Sequence, residues 1–156
     1  MNKVLISFLL STLPISEIRG GLIYAIPMKV PVLAAFIVCL TGNLIIIPLV
    51  FLFFDFFHNG FYSKIGLYRK VFDRITIKIR KKVKDIENKV GVYGYLGLTL
   101  FVAVPLPVTG AWTALFASWF LNLDRRKSSI AIALGVLIAG IIVLISVYGL
   151  TKIIGF

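Results

Sequence analysis

The stretch LPISEIRGG, Leu13–Gly21, sets a glutamate and an arginine two residues apart inside an otherwise apolar region. Ninety-three residues on, the chain reads LPVTGAW, Leu106–Trp112. LPIS and LPVT are near copies, each flanked by short apolar arms. Val4 to Leu13 and Leu22 to Met28 flank the first, Gly91 to Val104 and Ala111 to Leu123 the second. Each arm is shorter than the roughly 20 residues a helix needs to cross a bilayer. Two half-helices joined by a turn fit both regions, either as re-entrant hairpins or as broken spans. Proline lacks an N–H and disfavours helix just before it, so Pro14, Pro105 and Pro107 mark breaks, together with Gly20, Gly21 and Gly110. Ser16 and Thr109 then suit the N-cap of each returning arm.

Two other segments are long enough to span. Val32 to Phe54 gives 23 uncharged residues, with Pro48 expected to kink it, and Ile130 to Leu150 gives 21. Gly135 and Gly140 allow close packing in the second. The whole chain of 156 residues is 60% hydrophobic with mean hydropathy +1.02, above what a soluble domain carries. The expected organisation is a single membrane domain over 1–156. It comprises a hairpin at 1–30, a transmembrane helix at 31–55, a basic amphipathic helix at 63–90, a hairpin at 91–123 and a transmembrane helix at 129–151.

The net charge of +11 is local: ten of the 17 Lys and Arg lie between Lys64 and Lys89. Clustered charge in so apolar a chain marks a cytoplasmic loop rather than a nucleic-acid site. Ile65, Tyr68, Phe72, Ile75, Ile79, Val83, Ile86 and Val90 recur every three or four residues. Such a helix can lie on anionic lipid headgroups, or simply set topology. With both breaks as hairpins, thirteen basic residues fall inside, including Arg125, Arg126 and Lys127. Lys3, Lys29 and Lys152 fall outside, and Arg19 is buried. That asymmetry favours hairpins and a multi-pass protein of the cell membrane. No small-residue cleavage site follows the short N-terminal apolar run, so the N-terminus is read as retained.

A shift of 93 places Phe8 on Phe101, Leu5 on Leu98, Gly42 on Gly135 and the two spans on each other. The expected fold is therefore an all-α integral membrane protein built as an inverted repeat of re-entrant hairpin plus transmembrane helix. That is a common transporter plan, with its site near the midplane. Where the hairpin tips meet, two positive helix ends would point at the midplane and suit an anion or phosphate. Arg19 adds forked donors. Glu17, an intramembrane carboxylate, is a functional candidate by default; the bland alternative is a lock that shapes the turn. The candidate substrate or ion site is Glu17, Arg19, Ser16, Thr109 and Trp112. Asp55 and Asp124 read as interfacial, and Asn43 as packing. Trp112, Trp119, Tyr93 and Tyr95 read as interfacial anchors, with a cavity wall as the alternative for Trp112.

No catalytic motif and no metal-ligand spacing occurs, so an enzyme, a cofactor and a metal site are not expected. The lone Cys39 permits no intrachain disulfide. Four short membrane elements are compatible with a homodimer.

Through LPISEIRGG and PLPVTGAWTA (Pro105–Ala114) the chain resembles the small multidrug export family, with a more distant likeness to the DedA/SNARE-associated (VTT) membrane proteins. That resemblance implies two facing re-entrant hairpins and a secondary transporter exporting an amphiphilic small molecule, with proton coupling through Glu17 as one version. The DedA likeness implies an alternative, a flippase or scramblase for lipid or polyprenyl phosphates. Glu17 and Arg19 match the acidic and basic membrane residues of those proteins loosely, and this chain is shorter. A third reading is a non-transporting scaffold whose basic helix recruits partners.

Overall fold

The structure, a computed structural model, describes residues 2–64, 92–106 and 109–154. Six helices appear among them: α1 (Lys3–Thr12), α2 (Glu17–Ala25), α3 (Val32–Lys64), α4 (Val92–Ala103), α5 (Ala111–Phe120) and α6 (Arg125–Ile154). No strand occurs among the described residues. The basic helix expected over 63–90 lies outside them, apart from the two residues that end α3. Pro107 lies outside them too.

The two long helices contain the candidate spans, Val32–Phe57 and Arg125–Ile153. The α3 helix continues through Pro48. Both helices are apolar all round, and their outward residues stay exposed: Leu33, Ile37, Leu49 and Leu52 on α3, Ile130, Leu134 and Ile145 on α6. A helix of that kind is stable either in a large core or in lipid.

Each short helix is a half-length arm. At 1.5 Å per residue, ten residues reach about 15 Å, half of the ~30 Å hydrocarbon layer. Small residues let the arms approach the spans closely. A Cβ on Gly42 would stand 3.2 Å from the Phe8 carbonyl and would overlap Ser11 Oγ. One on Gly135 would stand 2.6 Å from Val102 Cβ and 2.7 Å from the Thr99 carbonyl. Gly42 lies near the middle of the apolar run 32–54, so α1 reaches its break at mid-span.

These contacts revise the register read from sequence. Gly42 meets Phe8 and Ser11, whereas Gly135 meets Thr99 and Val102. The outgoing arms are therefore offset by 91 residues, not 93, and Phe8 matches Thr99 rather than Phe101. The second break, 104–110, is longer than the first, 13–16, and the LP match conceals the difference.

Beyond the breaks the 93-residue offset holds bond for bond. At the end of α2, Lys29 N–H donates to the Ile26 carbonyl (3.0 Å) and Val30 N–H to Ala25 (3.1 Å), with Lys29 at φ 59°. At the end of α5, Asn122 N–H donates to Trp119 (3.0 Å) and Leu123 N–H to Ser118 (3.0 Å), with Asn122 at φ 56°. Both are left-handed helix stops that satisfy otherwise orphaned carbonyls. The next turns also match: Ala35 N–H to Pro31 and Ser128 N–H to Asp124, each 2.9 Å.

The halves pack across each other. The α2 arm touches α6, α5 touches α3, and the two long helices touch, while each arm also lies on the long helix of its own half. Gly140 of α6 accommodates Ile18, whose Cδ1 would lie 2.7 Å from a Cβ there.

Candidate functional site

The two breaks meet. Glu17 is only 6% exposed and reaches the first turn of α5, where the Trp112 N–H donates to Oε1 (3.3 Å) and the Ala111 N–H lies beside it. A helix N-terminus carries unpaired N–H groups and partial positive charge, and here a carboxylate from the other half answers both. The approach requires Gly110: a Cβ at that position would coincide with the carboxylate oxygens. Glu17 itself sits at φ 49°, an uncommon conformation for a side-chain-bearing residue.

Arg19 serves the opposite polarity. Its guanidinium donates to the Leu106 and Thr109 carbonyls and, at 3.4 Å, to Val104. These carbonyls belong to the break after α4, where helical partners run out. The favour is returned by Trp112, whose indole N–H donates to the Thr12 carbonyl at the end of α1 (3.3 Å). Each break thus satisfies backbone groups of the other. Glu17 and Arg19 both reach across, and no ion pair joins them among the described residues.

The expected caps are corrected. Ser16 does stand at the N-cap of α2 but makes no side-chain cap; its hydroxyl donates back to the Leu10 carbonyl, which otherwise takes only the long bond from the Leu13 N–H (3.4 Å). Thr109 lies within the break, its hydroxyl 2.8 Å from the Val104 carbonyl and 3.0 Å from Leu106. The N-cap of α5 is Gly110, bonded to Thr113 Oγ1 (3.2 Å). Gly20 and Gly21 are also corrected: they lie inside α2, where Gly21 admits Cys39, Ser7 and Ser11. Pro14 and Pro105 do lie in the breaks.

Sequence reading missed a second junction. Asp55 forms a two-pronged ion pair with Arg125 (2.8 and 2.9 Å) and accepts from the Trp119 indole (3.0 Å). It ties α3, α5 and α6 at one end. The signal was present: an acid ending one apolar run, and a basic cluster starting the next. Asp124 caps α6 through the Lys127 N–H (2.8 Å). Asn43 is fully buried in α3 with neither amide atom hydrogen-bonded.

An apolar groove of about 570 Å³ opens beside the breaks, between Ile23 of α2, Pro27 just beyond its end, Pro105, and α6 from Ile142 to Thr151. Pro105 lies between two carbonyls that Arg19 holds, so the groove wall and the crossed breaks are one piece of structure.

The sequence pattern of the family described as "Putative small multi-drug export protein" matches residues 17–142. This chain belongs to that family. The matched region of this small multi-drug export family member starts at Glu17 and takes in Arg19, the second break, both ends of the Asp55–Arg125 pair and most of α6. No curated protein and no solved structure matches the chain. The DedA likeness therefore rests on the motifs alone.

Proposed function

We propose that the protein is a small membrane exporter of amphiphilic molecules, whose two halves enter the bilayer from opposite sides and shift about their interlocked breaks. The observation that carries this reading is the mutual capping of the breaks. In lipid, non-helical backbone is tolerated only where protein or a water-filled cavity covers it. Here Glu17, Arg19 and Trp112 supply that cover reciprocally. The matched helix stops at Lys29 and Asn122 support an inverted repeat, and the family membership supports export. In this reading Glu17 and Arg19 hold the moving contact rather than the substrate. The lysine and arginine tally supports a cytoplasmic side for the Asp55–Arg125 end.

Single cysteines at Ile15 and Leu106, both exposed, test the entry sides in a Cys39→Ser background. A membrane-impermeant thiol reagent should label Ile15→Cys from outside and Leu106→Cys from the cytoplasm. Labelling of both from one side would overturn opposite entry. In proteoliposomes, wild-type protein should move fluorescent amphiphiles and Arg19→Ala should not. Equal leak with and without wild-type protein, across anionic, neutral and cationic amphiphiles, would remove the transport reading.

A further inference from the structure

We infer that Asn43 is a binding station for the uncharged, hydrogen-bonding head of an amphiphile. This rests on the exporter reading and names the substrate class it would move. Asn43 is fully buried in α3, and neither its amide nitrogen nor its oxygen has a hydrogen-bond partner among the described residues. A buried amide left bare on both atoms is costly and calls for a reason. Packing does not supply it. The 93-residue offset of the long helices puts Val136 at the same place in the second half, 1% exposed, so a branched hydrocarbon fills that position there.

Two registers put Asn43 at the level of the crossed breaks. Along α1 the Cys39 thiol donates to the Ser7 carbonyl (3.7 Å), and one turn on Gly42 meets Ser11, so α1 and α3 run the same way. The next residue, Asn43, is then level with Thr12, which ends α1 and whose carbonyl takes the Trp112 indole. The α2 helix, joined to α3 by the short turn 26–31 and packed on it, runs the opposite way. Its Gly21 faces Cys39. One helical turn beyond Cys39 is Asn43, and one turn back from Gly21 is Glu17. The charges at this level are already committed. Glu17 holds the N-terminus of α5, and Arg19 holds carbonyls of the second break. Arg19 is two residues from Gly21 and so on the far side of α2 from Cys39. The neighbours of Asn43 along its own face, Ile46, Ile47 and Val50, are buried and apolar. An ionic head would lack a free counter-charge there, whereas a head with both a donor and an acceptor satisfies both amide atoms at once. Asn43 is closed in this state, so the head reaches it when the halves part.

The test is equilibrium binding of radiolabelled decanamide, an uncharged primary amide, to the full chain in phosphatidylcholine nanodiscs. Discs have no second compartment, so binding is read whether or not transport occurs, and the two proposals can fail separately. The expected result is saturable binding of one probe per chain above empty discs. N,N-dimethyldecanamide keeps the acceptor and lacks the donor, and should bind about 10-fold more weakly or worse. Asn43→Val should lose the saturable component. That variant is expected to be the more stable protein, so unfolding cannot account for the loss. Asn43→Gln, which keeps an amide, should retain part of the binding. A second measurement locates the probe. The side-chain amide resonance of Asn43, identified by its absence from Asn43→Val, should move downfield as decanamide saturates the isotope-labelled protein. No saturable component overturns the proposal. So does equal binding of the dimethyl amide, unchanged binding in Asn43→Val, or an Asn43 resonance that stays fixed while the probe binds.

Discussion

Glu17 and Gly110 stand 93 residues apart, at matched positions of the two halves, and share one space: the carboxylate of one fills the volume where the other lacks a side chain. Matched residues touch each other only where the two halves face one another directly. One of the pair must then be small, and the other gains a helix end to bind.

Gly110→Ala should therefore cost about 1–3 kcal/mol, the usual penalty for forcing a carbon into packed space. Thermal unfolding in detergent would show it. Glu17→Ala in the same chain should recover part of the loss, so the double variant should be less destabilised than the sum of the singles. Strict additivity would mean the two residues do not meet.

Arg19→Lys keeps the charge and should still impair the protein. One ammonium cannot reproduce a planar fork spread over several carbonyls. Each charge-assisted bond lost costs about 1.5–3 kcal/mol where the acceptor stays unpaired. The melting temperature should drop clearly, and Arg19→Lys should fall nearer to Arg19→Ala than to wild type.

Gly42→Ala and Gly135→Ala should destabilise by similar amounts, because each closes the same gap between an arm and a long helix. Gly97→Ala is the control. Nothing lies within 4 Å of its added carbon, so the residue gains up to about 1 kcal/mol of helix propensity. Opposite signs in a melting series check both statements.

Asn43→Val should raise thermal stability, because an amide with both polar atoms unpaired costs about 1–3 kcal/mol to bury. A destabilised variant would show instead that the amide has a partner in the working protein.

The long helices and the two breaks were legible because apolar run length and proline placement are local signals. The interlock was only half legible. Glu17 and Arg19 stood out as misplaced charges, but their partners are backbone groups some 90 residues away, and backbone leaves no trace in composition. Ser16 and Thr109 look like caps by residue type; Ser16 does take the N-cap position, yet both hydroxyls bond back to carbonyls of the preceding segment instead of capping the next helix. The Gly20–Gly21 pair reads as a break, although the crowding of Ser7, Ser11 and Cys39 explains Gly21. The register of the arms was hidden because the longer second break keeps the LP signature in step while the helix before it slips by two residues.

The Asp55–Arg125 pair has a mechanical corollary. It bolts the first half to the second at one end, and the Trp119 indole braces it there. At the opposite end Lys3 holds only to Met28, within its own half, and no ion pair bridges the halves among the described residues. Of the two ends, the lysine end is thus the one without an ionic cross-link between the halves among the described residues, so a relative movement of the halves would break fewest charged contacts there.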